Sequence, residues 1–144
     1  MANLNAPSIN VTFTELGITA INRGSKGTVA VILRDSASVD PVALTQASQI
    51  PSTLGADNQA YLQRAFLGYV NPPKKVIAYT TDAEDANLAQ ALAYMATQEF
   101  DYLVGPADIS STEAKAVATW VDSQRTNNGA KFKTVLPNEA ADKY

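Results

Sequence analysis

Residues Thr28 to Leu33 read Thr-Val-Ala-Val-Ile-Leu, an apolar and largely β-branched run with no polar alternation, bounded by Gly27 before it and Arg34-Asp35 after it. Such a run suits a strand covered on both faces, as in a parallel sheet sandwiched by helices. The segment ahead of it follows a different rule. Ser8 to Glu15 alternates, with Ile9, Val11 and Phe13 on one face and Asn10, Thr12 and Thr14 on the other, the pattern of a strand with a single buried face. Two kinds of strand therefore sit side by side in the chain.

Downstream, the periodicity switches repeatedly between strand and helix. Asp35 to Gly55 is a connection of about twenty residues with Pro41, Pro51 and several serines, a length usually reserved for functional loops or for segments assembled against something else. Ala56 to Tyr69 places Tyr61, Leu62, Ala65, Phe66 and Tyr69 on one helical stripe, which Gly68 and Asn71-Pro72-Pro73 stop. Lys75 to Thr80 predicts a second covered strand. Asp82 is the expected N-cap of a helix from Ala83 to about Gln98, with Leu88, Ala91, Leu92, Met95 and Ala96 inward. Tyr102 to Val104 is a short third strand closed by Gly105-Pro106. Ser110 with Glu113 forms a capping box for a helix through Asn127, ended by Asn128-Gly129. Phe132 to Leu136, with Lys131 and Lys133 interleaved, reads as an edge strand. Right-handed crossovers then give an α/β fold, a mainly parallel sheet with flanking helices, preceded by the extended β segment. The expected division is an N-terminal arm and connector over 1–20 and an α/β domain over 21–144.

Composition removes whole classes of activity. At 144 residues the chain is long enough to bury about 70% of its unfolded surface without a metal or disulfide. It contains no cysteine and no histidine. Disulfide frameworks, thiolate metal sites, cysteine nucleophiles and Ser-His-Asp catalysis are thereby excluded, which leaves Asp, Glu, Lys and Tyr for proton transfer near neutral pH. The net charge of -3 and eleven scattered Lys and Arg, with Lys74-Lys75 the only adjacent pair, offer nucleic acid little to hold. No run approaches the length that spans a bilayer, and the N-terminus lacks an export pattern, so a soluble, unexported protein is expected.

Candidate sites follow from the expected topology. Ligands of open parallel sheets sit outside the carboxyl ends of the strands, where Asp35, Thr81 with Asp82, Asp108, and Asn138 with Glu139 would lie. Asp35, Asp82 and Asp108 together could hold Mg²⁺ or phosphate, although Asp at such positions more commonly caps helices and ends strands. Gly24-Ser25-Lys26-Gly27 precedes its strand, whereas a phosphate loop must follow one, so it is read as a turn. Trp120 flanks the apolar stripe of the last helix, either as a residue at the edge of the core or as an interface anchor. Tyr61, Tyr69, Tyr79 and Tyr94 lie on or next to the stripes of helices and strands and are read as core.

Ser8 to Glu15 is either an extra strand on its own sheet or an arm that completes a neighbour's sheet. Burying Ile9, Val11 and Phe13 gains about 1.5 to 3 kcal/mol each, while ordering the segment costs about 1 to 2 kcal/mol per residue. One arm binds weakly. Many arms on a repeating lattice bind firmly, because each linked contact makes the next effectively intramolecular.

Several separated blocks carry a resemblance. Pro7-Ser8-Ile9-Asn10-Val11 with Phe13 and Glu15, Arg23-Gly24, Gly27-Thr28-Val29-Ala30, Ile50-Pro51, Asn58, Tyr61, Ala65-Phe66, Gly68-Tyr69-Val70-Asn71, Pro73-Lys74-Lys75-Val76 and Asp101 to Pro106 resemble tail sheath proteins of contractile phages, defective prophages and phage-like (R-type) bacteriocins. The resemblance covers essentially the whole chain. It implies a structural, non-enzymatic subunit that stacks with copies of itself in hexameric rings around an inner tail tube, attaches to baseplate and tail terminator proteins, and contracts to drive the tube through a target envelope. It also implies that Ser8, Ile9, Asn10, Val11, Thr12, Phe13, Thr14 and Glu15 form the inter-subunit arm. No cofactor, metal, nucleic acid or membrane insertion is implied, and the expected location is the tail sheath of a virion or phage-like particle assembled in the bacterial cytoplasm. Family members run well past 144 residues, so the expectation is the N-terminal part of a longer sheath core. Such a truncated product would lack the C-terminal domain whose sheet receives arms and could not build a mesh alone. Part of that core is compared with subtilisin by name; with no histidine here, no protease activity is expected.

Overall fold

The structure, a computed structural model, describes residues 27–136 apart from 38, 69, 70, 83, 86 and 87. The arm, the connector, and Asn138 with Glu139 lie outside the described residues. Strand β1 (Thr28–Arg34) is the apolar run, and its residues Ala30 to Leu33 are all buried. It pairs in parallel with β3 (Lys75–Thr81) along its full length, from Thr28 opposite Lys75 to Arg34 opposite Thr81. Its other edge pairs in parallel with β4 (Tyr102–Val104), which in turn pairs with β5 (Lys133–Val135). The sheet order is β2-β3-β1-β4-β5, so β5 is an edge, as its interleaved lysines predict.

The connection 35–55 does not stay irregular. It contributes β2 (Val42–Leu44), which runs antiparallel along the free edge of β3, followed by a single 3₁₀ turn over Ala47–Gln49. Pairing satisfies the outer backbone groups of β3 and places Leu44 in full burial against the sheet. The long connection is assembled against its own sheet.

Three helices are found among the described residues: α1 (Ala56–Leu67), α2 (Ala89–Met95) and α3 (Ser111–Asn128). Helix α1 ends at Gly68, whose φ of 56° and ψ of 179° suit glycine alone. Helix α3 carries the expected capping box, with the Ser110 side chain accepting from the Glu113 amide and Glu113 reaching back to the Ser110 amide, and it stops at Gly129 in the left-handed conformation. Helix α2 departs from expectation, because it begins at Ala89 rather than Ala83, and Asp82 does not cap it. Asp85 is buried instead, accepts a hydrogen bond from the Thr81 hydroxyl at 2.8 Å, and receives the Gln90 amide at 3.3 Å. Leu88, fully buried with φ 57°, turns the chain into the helix.

Crossover handedness decides which face each helix covers. From β3 through α2 to β4, and from β4 through α3 to β5, the chain advances in one direction across the sheet, and both helices lie on the face of Ala30, Ile32 and Leu103. From β1 to β3 it advances in the opposite direction, and α1 lies on the other face, against Val31, Leu33, Val76 and Ala78. Among the described residues, one face has two helices and the other has one.

Candidate functional site

Reversal of the winding at β1 places the topological switch point between the carboxyl ends of β1 and β4, where open α/β sheets present ligand crevices. A cleft of about 360 Å³ opens there, walled by Arg34, Asp35, Gly55, Asn58 and Asp108. Two of its charged groups, Arg34 and Asp108, are paired with one another. Arg34, at the end of β1, donates to Asp108 at 3.0 Å and to Glu113 in the first turn of α3. Burial works against the charge of Arg34, but hydrogen bonds and attraction from Asp108 and Glu113 outweigh it and keep the guanidinium protonated.

Asp35 is held by its own loop. Its oxygens accept from the Ala37 amide at 3.0 Å, the Gly55 amide at 2.7 Å and the Asn58 side chain at 2.8 Å. The Ala37 amide, then Asn58 and Gly55, lower its pKa to about 2 from an ordinary 3.8. Because Gly55 is the N-cap residue of α1, the Asp35 carboxylate occupies the anion position at that helix start.

The structure therefore brings together two of the three expected carboxylates. Asp35 and Asp108 line the cleft, whereas Asp82 does not and instead accepts from the Glu84 amide at 3.3 Å. No group of three or more acidic, His or Cys side chains suited to a metal ion occurs among the described residues. Arg34, Asn58 and Asp85 carry the polar architecture, a role that the sequence reading assigned to none of them. For Arg34, the signal available was a lone cation ending an apolar strand, where burial demands a partner.

Trp120 is half-buried and stacks on Phe132, with ring centroids 5.5 Å apart and planes at 28°, and Phe132 meets Phe100 at 4.5 Å. Tyr61, Tyr79 and Tyr94 lie in or beside the core. Tyr79 and Tyr94 pack 5.1 Å apart against the α2–α3 face, and the Tyr61 hydroxyl donates to the Gly105 carbonyl. The inter-subunit arm, Ser8 to Glu15, lies outside the described residues, as does Tyr69.

No family model matches the chain. The chain is 35% identical, over 140 residues, to the tail sheath protein of Clostridium phage phiCD119, an alignment that covers 94% of this chain and 38% of that protein. It spans well under half the length of the relative. The resemblance carried by the separated sequence blocks extends over nearly the whole chain, and the chain is thus a relative of a phage tail sheath protein, matching a portion of that larger molecule.

Proposed function

We propose that this chain is the N-terminal portion of a structural subunit of a contractile tail sheath, which polymerises around an inner tube and contracts to drive it through a target envelope. The match to a phage tail sheath protein across 94% of the chain carries this reading. Residues 1–20 serve as arm and connector, and 21–144 as the first part of the core. Ser8 to Glu15 leaves its own subunit and adds a strand to a sheet in a neighbour, with Ile9, Val11 and Phe13 entering that neighbour's core. Trp120 anchors a subunit contact through the part of its ring that Phe132 leaves open.

The partners are other copies in stacked hexameric rings, the tube protein, and baseplate and terminator proteins. The location is the tail of a virion or phage-like particle, assembled in the host cytoplasm. The role is mechanical and non-enzymatic, a reading supported by the absence of histidine and cysteine from these residues and by a switch-point cleft in which Arg34 is paired with Asp108 and Asp35 is held by amides of its own loop. Electron microscopy of particles made with and without residues 8–15 tests the reading. Sheathed tails with the segment and bare tubes without it are expected. Sheaths of normal length in its absence would overturn it.

A further inference from the structure

The face that carries α1 is left incomplete towards β5. Residues in register across it go from full cover to exposure: Ala78 on β3 is 3% exposed, Val31 on β1 2%, and Val135 on β5 58%, with Val104 on β4 half-buried between them. Beside α1 lies a trough of about 310 Å³ lined by Val29, Val31, Tyr61, Ala65 and Val104, with Arg64 at its rim. A second hollow of about 360 Å³ shares Tyr61 and Val104 and continues to Val135. An apolar groove this open along the middle of a sheet face is the mark of a missing layer.

We propose that the trough is covered in cis by Leu16 to Ile21, the connector between the arm and β1. Geometry at Gly27 carries the argument. Gly27 is pinned between strands, with the Lys74 amide donating to its carbonyl at 2.9 Å and the neighbouring Thr28 amide bound to the Asp101 carboxylate at 2.7 Å. Both edges of β1 are hydrogen-bonded, to β3 and to β4, so the preceding residues cannot continue as a strand beside it. The face of Ala30 and Ile32 is already filled by α2 and α3. Residues between Ile21 and Gly27 span up to about 20 Å when extended, enough to return the chain over Val29, and Asn22, Gly24 and Ser25 supply the turn. Leu16, Ile18 and Ala20 then share one apolar face that meets the trough. Charge agrees as well. Arg64 has no carboxylate within salt-bridge distance among the described residues, and Glu15, next to Leu16, is the only acidic residue in 1–26.

This contact fixes the root of the arm and leaves Ile9 to Phe13 free to depart, yet it does not depend on where the arm goes. The chain contains no cysteine, so paired cysteines report on one contact alone. Ile18→Cys with Ala65→Cys in the whole chain is oxidised and compared with Ile18→Cys with Thr112→Cys, the latter on the exposed side of α3. The trough pair is expected to close at least about tenfold faster, as an intramolecular bond that keeps the monomer mass. Ala20→Cys with Ala65→Cys repeats the test from the same face of the connector with a smaller change of side chain. Reversing charge with Glu15→Lys or Arg64→Glu slows closure, and combining both restores it. A disulfide found only between two chains would assign the trough to a second copy and overturn the proposal, as would closure no faster than the control in both trough pairs. Failure here leaves strand exchange by residues 8–15 standing, and tails that assemble without those residues leave the cis contact standing.

Discussion

Arg34 and Glu113 tie the end of the central strand to the start of the last helix, and Glu113 divides its two oxygens between them. One oxygen takes the Arg34 guanidinium, and the other takes both the amide and the hydroxyl of Ser110. Burial resists ionisation of Glu113, but the Ser110 hydrogen bonds and the charge of Arg34 prevail and hold its carboxyl below the usual range. Glu113→Ala therefore removes a helix cap and strands a largely buried cation together. A loss of about 2 to 4 kcal/mol is expected, read as a lower urea midpoint with unchanged slope. Glu113→Gln, which keeps the cap acceptor, should lose about half as much.

Asp35 should make the fold acid-sensitive in a defined window. Its folded-state pKa, about 2, lies below the ordinary 3.8, so the unfolded chain binds more protons between those values and stability rises with pH there. The contribution is complete above pH 3.8 and fades as pH falls towards 2; lowered Glu113 adds in the same sense. Urea midpoints measured across this range should flatten in Asp35→Asn, with a loss of about 1 to 3 kcal/mol at neutral pH from weakened bonds to Ala37, Gly55 and Asn58.

Gly68→Ala tests the stop of α1. A methyl group there would approach the Asn71 carbonyl oxygen to 2.6 Å on a backbone with φ of 56°, so both space and conformation oppose it. A loss on the order of 2 kcal/mol or more is expected in thermal unfolding. Gly129→Ala is the comparison, since nothing lies within 4 Å of the added carbon and only the left-handed backbone is strained. It should cost about 1 kcal/mol.

Asp85→Asn should shorten or fray α2. The carboxylate accepts from Thr81, Gln90 and Ala91, and Leu88 at the N-cap position offers no side-chain acceptor. Amide hydrogen exchange at Gln90 to Leu92 is expected to accelerate before global unfolding, with a loss of about 0.5 to 2 kcal/mol. Asp82→Asn should leave those amides unchanged.

The contrast between Asp82 and Asp85 shows where the sequence speaks and where it falls silent. Local rules recovered β1 from its β-branched run, α3 from Ser110 and Glu113, the end of α1 from Gly68, and the edge position of β5 from its lysines, because each signal is contained within a few neighbouring residues. Asp82 looked the better cap by position, but Thr81 and the buried floor beneath α2 recruit Asp85, a preference set by tertiary contacts. Val42 to Leu44 has too few residues for a period and becomes a strand only because β3 presents a free edge. Among the candidate sites, Asp35, Asp82 and Asp108 were expected together at the carboxyl ends of the strands; Asp35 and Asp108 share the cleft and Asp82 does not, and the partners Arg34 and Asn58 come from elements whose spacing no local pattern encodes.

The central claim is that Ser8 to Glu15 links one copy to the next in a sheath, and a density map of the assembled tail by electron cryomicroscopy tests it most directly. The account predicts that Ile9, Val11 and Phe13 form a strand within a sheet of an adjacent subunit, at every position in the helical lattice. Density showing that segment folded onto its own subunit, with no contact to another copy, would contradict it.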